Sequence, residues 1–347
     1  MTLSTSRGLL NIISHTDLDG VVSAALAWRA NVFSGDPIKI SLTGYGEVDN
    51  LILEAFRKSD RLIVLDLSPQ FQATVDEIDK TFPDDKAPFL FDHHQSTHEK
   101  YSNRPWIVVD LNYCGAAVFW NWLMDGNADD ETINSVEPLR DMVFLANDRD
   151  LWINENPDGR LWQAMVTLCG EWGALARLMN NPSATFTESE LCEVTKFIAS
   201  QDERFKRASE HLARSPIRGH NGSGELAFLG DGYLDFGDTS DFCGSILDRP
   251  GANEIPPSIV AISYHKPGGS WAVSIRSRNG LAGHVVSLLK DGRKIRGGGH
   301  GDAAGLYFPS HYSEESIRES ILAALAAKNE SSSGMGVTLG DLLKGAM

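Results

Sequence analysis

Early in the chain, three short apolar runs each end in acidic or imidazole side chains, and this repeat narrows the possible folds more than any other feature. Leu9-Leu10-Asn11-Ile12-Ile13 runs into Ser14-His15-Thr16-Asp17-Leu18-Asp19-Gly20, Leu62-Ile63-Val64-Leu65 into Asp66, and Pro88-Phe89-Leu90-Phe91 into Asp92-His93-His94. Runs this short, bounded by polar stops, read as strands buried on both faces. Between and after them lie helix-like stretches: the alanine-rich Val21 to Ala30, Val48 to Lys58, the amphipathic Phe71 to Phe82, and Ala116 to Met124; Ile107-Val108-Val109 adds another strand. Strands alternating with helices predict a parallel sheet with helices on both faces. In such a sheet the carboxyl ends of neighbouring strands open onto one crevice, so the three stops are expected to converge.

A chain of 347 residues is expected to form two domains, at about 100 to 200 residues each. The alternating pattern ends near Thr187, which with Glu190 forms a capping-box signature opening a charged segment without Gly or Pro until Pro216. Beyond it, 224–229, 258–264 and 271–275 read as strands and 281–289 as a helix. The expected organisation is therefore an α/β domain over 1–186, a helical connector over 187–216, a smaller α/β domain over 217–330 and a tail over 331–347.

Hydrophobic residues at 42% and charged residues at 22% are those of a soluble globular protein. No apolar run reaches the roughly 18 residues of a membrane span, and the N-terminus has no signal-like core, so the expected location is the cytoplasm. The four cysteines, Cys114, Cys169, Cys192 and Cys243, show no CxxC spacing and read as reduced, mostly buried thiols. A net charge of -16 argues against a surface built for long duplex nucleic acid. Between His265 and His300, however, seven basic residues face one acid, a local net of +6 that leaves -22 on the remainder. A small cationic pocket within an acidic protein suits a short anionic ligand better than a polymer.

The acidic stops themselves suggest metal chemistry. Asp17 and Asp19, two apart in extended chain, present their carboxylates to one side. Hard oxygen donors mixed with imidazole favour octahedral ions such as Mn²⁺, with Mg²⁺ or Fe²⁺ behind it, over tetrahedral sulfur-bound zinc. A carboxylate alone at the end of a buried strand, as Asp66 is, has the position of a bridge between two ions about 3.5 to 4 Å apart, the spacing that activates a water for in-line attack at phosphorus.

Taken together, Ser14-His15-Thr16-Asp17-Leu18-Asp19-Gly20, Asp66 and Asp92-His93-His94 resemble the signature of the DHH phosphoesterase superfamily. A fourth motif of that family, an Asp after an apolar helix end, falls at Phe144-Leu145-Ala146-Asn147-Asp148-Arg149-Asp150, with Asp148 favoured as the ligand and Asp150 as its acidic neighbour. The resemblance implies one metal held by Asp17 and Asp66, a second by Asp19, Asp66, His93 and Asp148, and His94 behind the ligands or against the substrate phosphate. His15 stands two residues before the first Asp, where some members carry a ligand histidine four before, so its implied role is ligand or near-ligand. Asp66 and His94 are the residues implied in catalysis.

Gly297-Gly298-Gly299-His300-Gly301-Asp302-Ala303-Ala304-Gly305 is the second strong motif. Consecutive glycines let backbone amides approach an anion. A dinucleotide fingerprint is excluded by context, since no buried strand precedes the motif and no βαβ unit follows. The string resembles the DHHA1 domain that accompanies the DHH domain, as does Arg276-Ser277-Arg278. The two resemblances cover roughly residues 9 to 160 and 220 to 308. They imply that Arg276, Ser277, Arg278, Gly298, Gly299 and His300 bind a phosphate or terminal nucleotide, presenting the phosphodiester to the metals across a cleft between the domains. The implied activity is a Mn²⁺-dependent phosphodiesterase that cleaves short RNA oligonucleotides or linear dinucleotides such as pGpG or pApA. A phosphatase acting on 3'-phosphoadenosine 5'-phosphate, a cyclic-dinucleotide phosphodiesterase and a catalytically silent nucleic-acid-binding scaffold stand as alternatives. No membrane partner is expected, and a homodimer is among the assemblies the resemblance leaves open.

Overall fold

The computed structural model describes residues 8–58, 61–82, 87–217, 224–248, 256–278, 280–291, 294–299 and 301–331. The chain divides into two compact units, Met1–Ile198 and Ala199–Met347.

The first unit opens with β1 (Leu10–Ser14), α1 (Leu18–Asn31), β2 (Ile38–Leu42), α2 (Val48–Arg57), β3 (Arg61–Leu65), α3 (Gln72–Thr81), β4 (Leu90–Asp92), α4 (Gln95–Tyr101) and β5 (Ile107–Val109). The five strands are parallel, in the order β2-β1-β3-β4-β5. Helices α5 (Gly115–Trp122), α6 (Asp130–Val136), α7 (Arg140–Asp150) and α8 (Asp158–Asn180) follow. Alternate residues of β1 enter different cores, as the two-residue strand period requires. Leu10 and Ile12 pack with apolar residues of α1, α5, α7 and α8, whereas Ile13 joins Val48, Ile52, Val75 and Trp106 on the opposite face. The expected parallel sheet covered on both faces is thus present. α1 is buried on nearly every side, from Leu18 through Ala27, because its alanines allow α5, α7 and α8 to approach closely.

α9 (Glu188–Ser209) runs across the division between the units. Its start is the predicted capping box: Thr187 Oγ1 accepts from Glu190 N at 3.2 Å, and Glu190 Oε2 accepts from Thr187 N at 2.7 Å. The helix is shorter than the charge pattern predicts, since Ala213–Pro216 forms strand β6.

In the second unit β6 is followed by β7 (Glu225–Leu229), α10 (Thr239–Asp248), β8 (Ile259–His265), β9 (Trp271–Ser277), α11 (Leu281–Leu289), β10 (Arg296–Gly299), β11 (Ala303–Phe308) and α12 (Glu314–Ser331). The sheet order is β10-β11-β9-β8-β7-β6, antiparallel except for the β7–β8 pair. Leu226, Phe228, Ile259 and Ala261 face α11 and α12, while Ala227, Leu229, Val260 and Ile262 face α10 and the end of α9.

Two of the four cysteines, Cys114 and Cys243, are buried, and Cys169 and Cys192 are exposed, so the expectation of mostly buried thiols holds for half of them. Among the described residues no helix is long and apolar enough to cross a membrane.

Candidate metal centre

The strand register brings the three acidic stops together. Ser14 is aligned with Leu65 across β1–β3, and Leu65 with Phe91 across β3–β4, so His15 and Asp66, which follow their strands, lie level with Asp92, the last residue of β4. Asp66 turns off β3 with φ of 56°, a left-handed conformation that costs a non-glycine residue about 1 to 3 kcal/mol. A hydrogen bond from its N–H to Phe91 O at 2.9 Å fixes the turn.

Asp17 is the N-cap of α1: its Oδ1 accepts from Gly20 N at 3.0 Å, and its Oδ2 lies 2.8 Å from His15 Nδ1. Asp19 lies within the first turn, 2% exposed. Its Oδ2 accepts from Gly115 N at 2.6 Å and its Oδ1 from Ala116 N at 2.8 Å, placing the carboxylate on the positive end of α5. Two glycines make this closeness sterically feasible. A Cβ on Gly20 would stand 2.3 Å from His15 O, and one on Gly115 would stand 2.8 Å from Asp66 Cβ and 3.0 Å from Asp19 Oδ2.

Three donor groups share this edge of the sheet: Asp19, His93 and Asp150; His15, Asp17 and Asp66; and Asp66, Asp92, His93 and His94. His93 Nε2 lies 3.2 Å from Asp66 Oδ1, 3.5 Å from Asp150 Oδ2 and 4.0 Å from Asp19 Oδ2. Asp66 Oδ2 faces the other way, 3.7 Å from His15 Nδ1. His94 is held at both ring nitrogens, Nδ1 2.6 Å from Asp92 Oδ1 and Nε2 2.8 Å from Tyr45 Oη. Asp92 also accepts from the backbone N–H of His93 at 2.8 Å, so one carboxylate holds the His94 ring and the His93 main chain.

Of the two fourth-motif acids, Asp150 lies in this cluster and Asp148, the expected ligand, does not. Asp148 Oδ1 accepts from Glu155 N at 3.0 Å and Oδ2 from Asn156 N at 3.2 Å, closing the loop after α7. Two residues on a helix are about 200° apart around the axis, so the two carboxylates point to opposite sides. Asn147 Oδ1, accepting from Cys114 N at 2.9 Å, pins α7 to the start of α5.

The electrostatics are those of a site short of positive charge. Burial first, then the charges of Asp19, Asp17, Asp150 and Asp92, push the Asp66 carboxyl well above the usual range. Burial likewise raises Asp150 to about 7, against the pull of His93 and with the push of Asp19 and Asp17. For Asp17, burial is outweighed by the charge and hydrogen bond of His15 and by the Gly20 amide, and the carboxyl lies below its ordinary value. Asp92 is lowered in the same way by His94. His94 in turn is raised to about 9, its burial overcome by the charge and hydrogen bond of Asp92. A crowd of buried carboxylates in which two hold protons above their normal range is a donor set that fits divalent cations, with hard oxygen and imidazole ligands and no thiolate.

Tyr45 and Asp92 are the members to which the sequence reading gave no role. Ile38-Lys39-Ile40-Ser41-Leu42 alternates with the strand period and ends at Thr43-Gly44-Tyr45-Gly46, a fourth strand end at the same edge of the sheet, and this was the available signal for Tyr45.

The predicted anion-binding residues occupy the second unit and are in unlike states. Arg276 donates to Ser240 Oγ at 2.9 Å, Ser274 Oγ at 3.2 Å and Ile275 O at 3.1 Å. Arg278 is instead ion-paired with Asp248 at the protein surface. Ser277 is 2% exposed, and its hydroxyl donates to Asp302 Oδ1 at 2.9 Å and accepts from Ala282 N at 2.7 Å, tying β9 to the glycine motif. Gly298 and Gly299 belong to β10, registered with Gly305 and Ala304 of β11. His300 lies outside the described residues.

The sequence matches no family model and no curated protein. Solved structures resemble it in fold. A DHH domain from a protein grouped with a family of ribosomal proteins is 12% identical over 93% of this chain and 86% of that one, with a TM-score of 0.55. RecJ of Thermus thermophilus, solved in complex with Mn²⁺, is 14% identical over 93% of this chain and 52% of its own, with a TM-score of 0.54. PggH of Vibrio cholerae, a pGpG-specific phosphodiesterase, is 12% identical over 92% of this chain and 99% of its own, with a TM-score of 0.51. At these identities the likeness is one of architecture: the chain carries the fold of DHH-domain proteins.

Proposed function

We propose that this protein is a metal-dependent phosphodiesterase that hydrolyses short linear oligonucleotides or dinucleotides to mononucleotides. The observation that carries the reading is the position of Asp66, whose two carboxylate oxygens face separate donor groups, His93 on one side and His15 with Asp17 on the other. In this reading His15, Asp17 and Asp66 would hold one ion and Asp19, Asp66, His93 and Asp150 a second, with Asp150 taking the place first given to Asp148. Two divalent ions, Mn²⁺ by preference with Mg²⁺ or Fe²⁺ behind it, would supply a water of lowered pKa and stabilise charge at the phosphorus.

The chain's own residues do the rest. Asp92 and Tyr45 hold both nitrogens of the His94 ring, which stays protonated below about pH 9 and so places a fixed positive charge beside the acidic cluster. Asp19, anchored on the first amides of α5, holds one side of the site rigid. Arg276, whose described partners are all neutral, retains charge for a terminal phosphate. The fold likeness to PggH and RecJ is compatible with this chemistry.

The test is turnover of pGpG, pApA, 3'-phosphoadenosine 5'-phosphate, cyclic dinucleotides and an RNA ladder by the full chain with Mn²⁺. The expected result is preferred cleavage of the shortest linear substrates. Preferred cleavage of long RNA would overturn the substrate assignment. Asp66→Asn should lower turnover by on the order of a hundredfold or more, and a variant keeping a tenth of the wild-type rate would remove Asp66 from the bridging position.

A further inference from the structure

Phe236 is among the most exposed large apolar side chains described, at 71%. A single exposed phenylalanine is ordinary on a protein surface, but the surroundings of this one are not. It sits at the start of a single turn of 3₁₀ helix, Phe236–Asp238, whose backbone is held from several directions. Asp238, 1% exposed, accepts from Gln201 Nε2 at 3.0 Å and from Arg204 at 2.9 and 3.2 Å. The carbonyl of Phe236 accepts from Thr239 Oγ1 at 2.6 Å. Because that hydroxyl donates its proton to Phe236, the Tyr264 hydroxyl donates to Thr239 Oγ1. The rings of Tyr264 and Phe236 meet nearly edge to face, 5.4 Å between centroids at 68°, a contact that leaves most of the phenyl ring exposed.

The next residue along, Ser240, accepts from Arg276 at 2.9 Å. The other described partners of that guanidinium are the Ser274 hydroxyl and the Ile275 carbonyl, so hydrogen bonding positions the cation without neutralising it. Burial disfavours its charge and lowers its pKa, a cost that an anionic ligand would relieve. An exposed aromatic ring on a hydrogen-bonded turn and a positioned guanidinium are thus linked through two adjacent residues, Thr239 and Ser240. The ligand that satisfies both has a planar π-face joined to a phosphate by a short polar spacer, which describes a nucleotide.

We propose that Phe236 is a stacking platform for the base of a nucleotide whose phosphate is held by Arg276. This rests on the phosphodiesterase reading and adds to it a base subsite that would accept any base, since stacking uses a face that all bases share.

The test is titration of the full, metal-free chain with 5'-AMP, 5'-GMP and ribose 5-phosphate, alongside Mn²⁺-dependent cleavage of pGpG by the wild type. Phe236→Ala is expected to weaken AMP and GMP binding roughly five- to hundredfold and to leave ribose 5-phosphate binding unchanged. Phe236→Trp should keep nucleotide affinity and show indole quenching on addition of AMP. If the wild type cleaves pGpG while Phe236→Ala binds AMP like the wild type, the platform is overturned and the phosphodiesterase reading stands. If the wild type neither cleaves a short oligonucleotide nor prefers AMP to ribose 5-phosphate, both are overturned. Circular dichroism of each variant checks folding, which substitution at so exposed a ring should not disturb.

Discussion

The imidazole of His93 reaches to 3.2 Å from Asp66 Oδ1, although the two residues leave neighbouring strands of the sheet. Burial and the neighbouring carboxylates raise the pKa of Asp66 and of Asp150, so both hold their protons more tightly than an ordinary carboxyl does. A divalent ion bound there would displace those protons, so metal binding and protonation compete for the same oxygens.

Asp150 and Asp148 should separate cleanly by mutation. Asp150→Asn is expected to lower Mn²⁺ affinity on the order of tenfold or more and to raise the thermal stability of the metal-free chain, because it removes a buried carboxylate crowded by Asp19 and Asp17. Asp148→Ala should leave metal affinity unchanged and cost about 1 kcal/mol through loss of the bonds to the amides of Glu155 and Asn156. Calorimetric titration with Mn²⁺ and thermal melts read both, and the reverse pattern would return Asp148 to the site.

The stability of the metal-free chain should fall with rising pH across the acidic-to-neutral range. Asp150 has a folded pKa near 7, above its unfolded value. Its contribution to stability is therefore complete below about pH 4 and lost as the pH rises through about 7. Asp66 acts in the same direction. His94, raised to about 9, loses its contribution in a later window, from about pH 6.5 upward. Melts of wild type and Asp150→Asn in EDTA should therefore diverge between about pH 4 and 7, and saturating Mn²⁺ should flatten the wild-type curve. Parallel curves would contradict the raised pKa.

Tyr45→Phe keeps the ring and removes only the hydroxyl that meets His94 Nε2. The expected effect is a roughly two- to tenfold fall in kcat, with Mn²⁺ affinity unchanged and the alkaline limb of the pH–rate profile shifted. An unchanged kcat and profile would make Tyr45 a bystander.

The two arginines of the Arg276-Ser277-Arg278 segment should differ. Arg276→Ala is expected to raise KM roughly ten- to a hundredfold, because its charge meets only neutral described partners. Arg278→Ala breaks an exposed pair with Asp248 and should change KM little. Equal effects would place both guanidiniums against the substrate.

The strands that build the centre were legible because β1, β3 and β4 are continuous apolar runs ending in chemically distinctive residues. β2 was missed because it is half-exposed, with Lys39 in its middle, and Tyr45 was lost with it. The choice between Asp148 and Asp150 depends on the rotational phase of α7 against its neighbours, which one helix's sequence does not contain. The Arg276-Ser277-Arg278 segment was recognisable as residue types, yet which of its two guanidiniums is already ion-paired depends on Asp248 lying within reach of Arg278.

The left-handed backbone at Asp66 has a consequence for how this sequence can vary. There the main chain is strained and the side chain is a carboxyl crowded by like charges, so both features oppose folding. Glycine at position 66 would relieve both, giving a more heat-resistant protein without the carboxylate that lies between His93 and His15. Selection for robustness alone would favour that change, so an acid kept at position 66 signals selection for something other than stability.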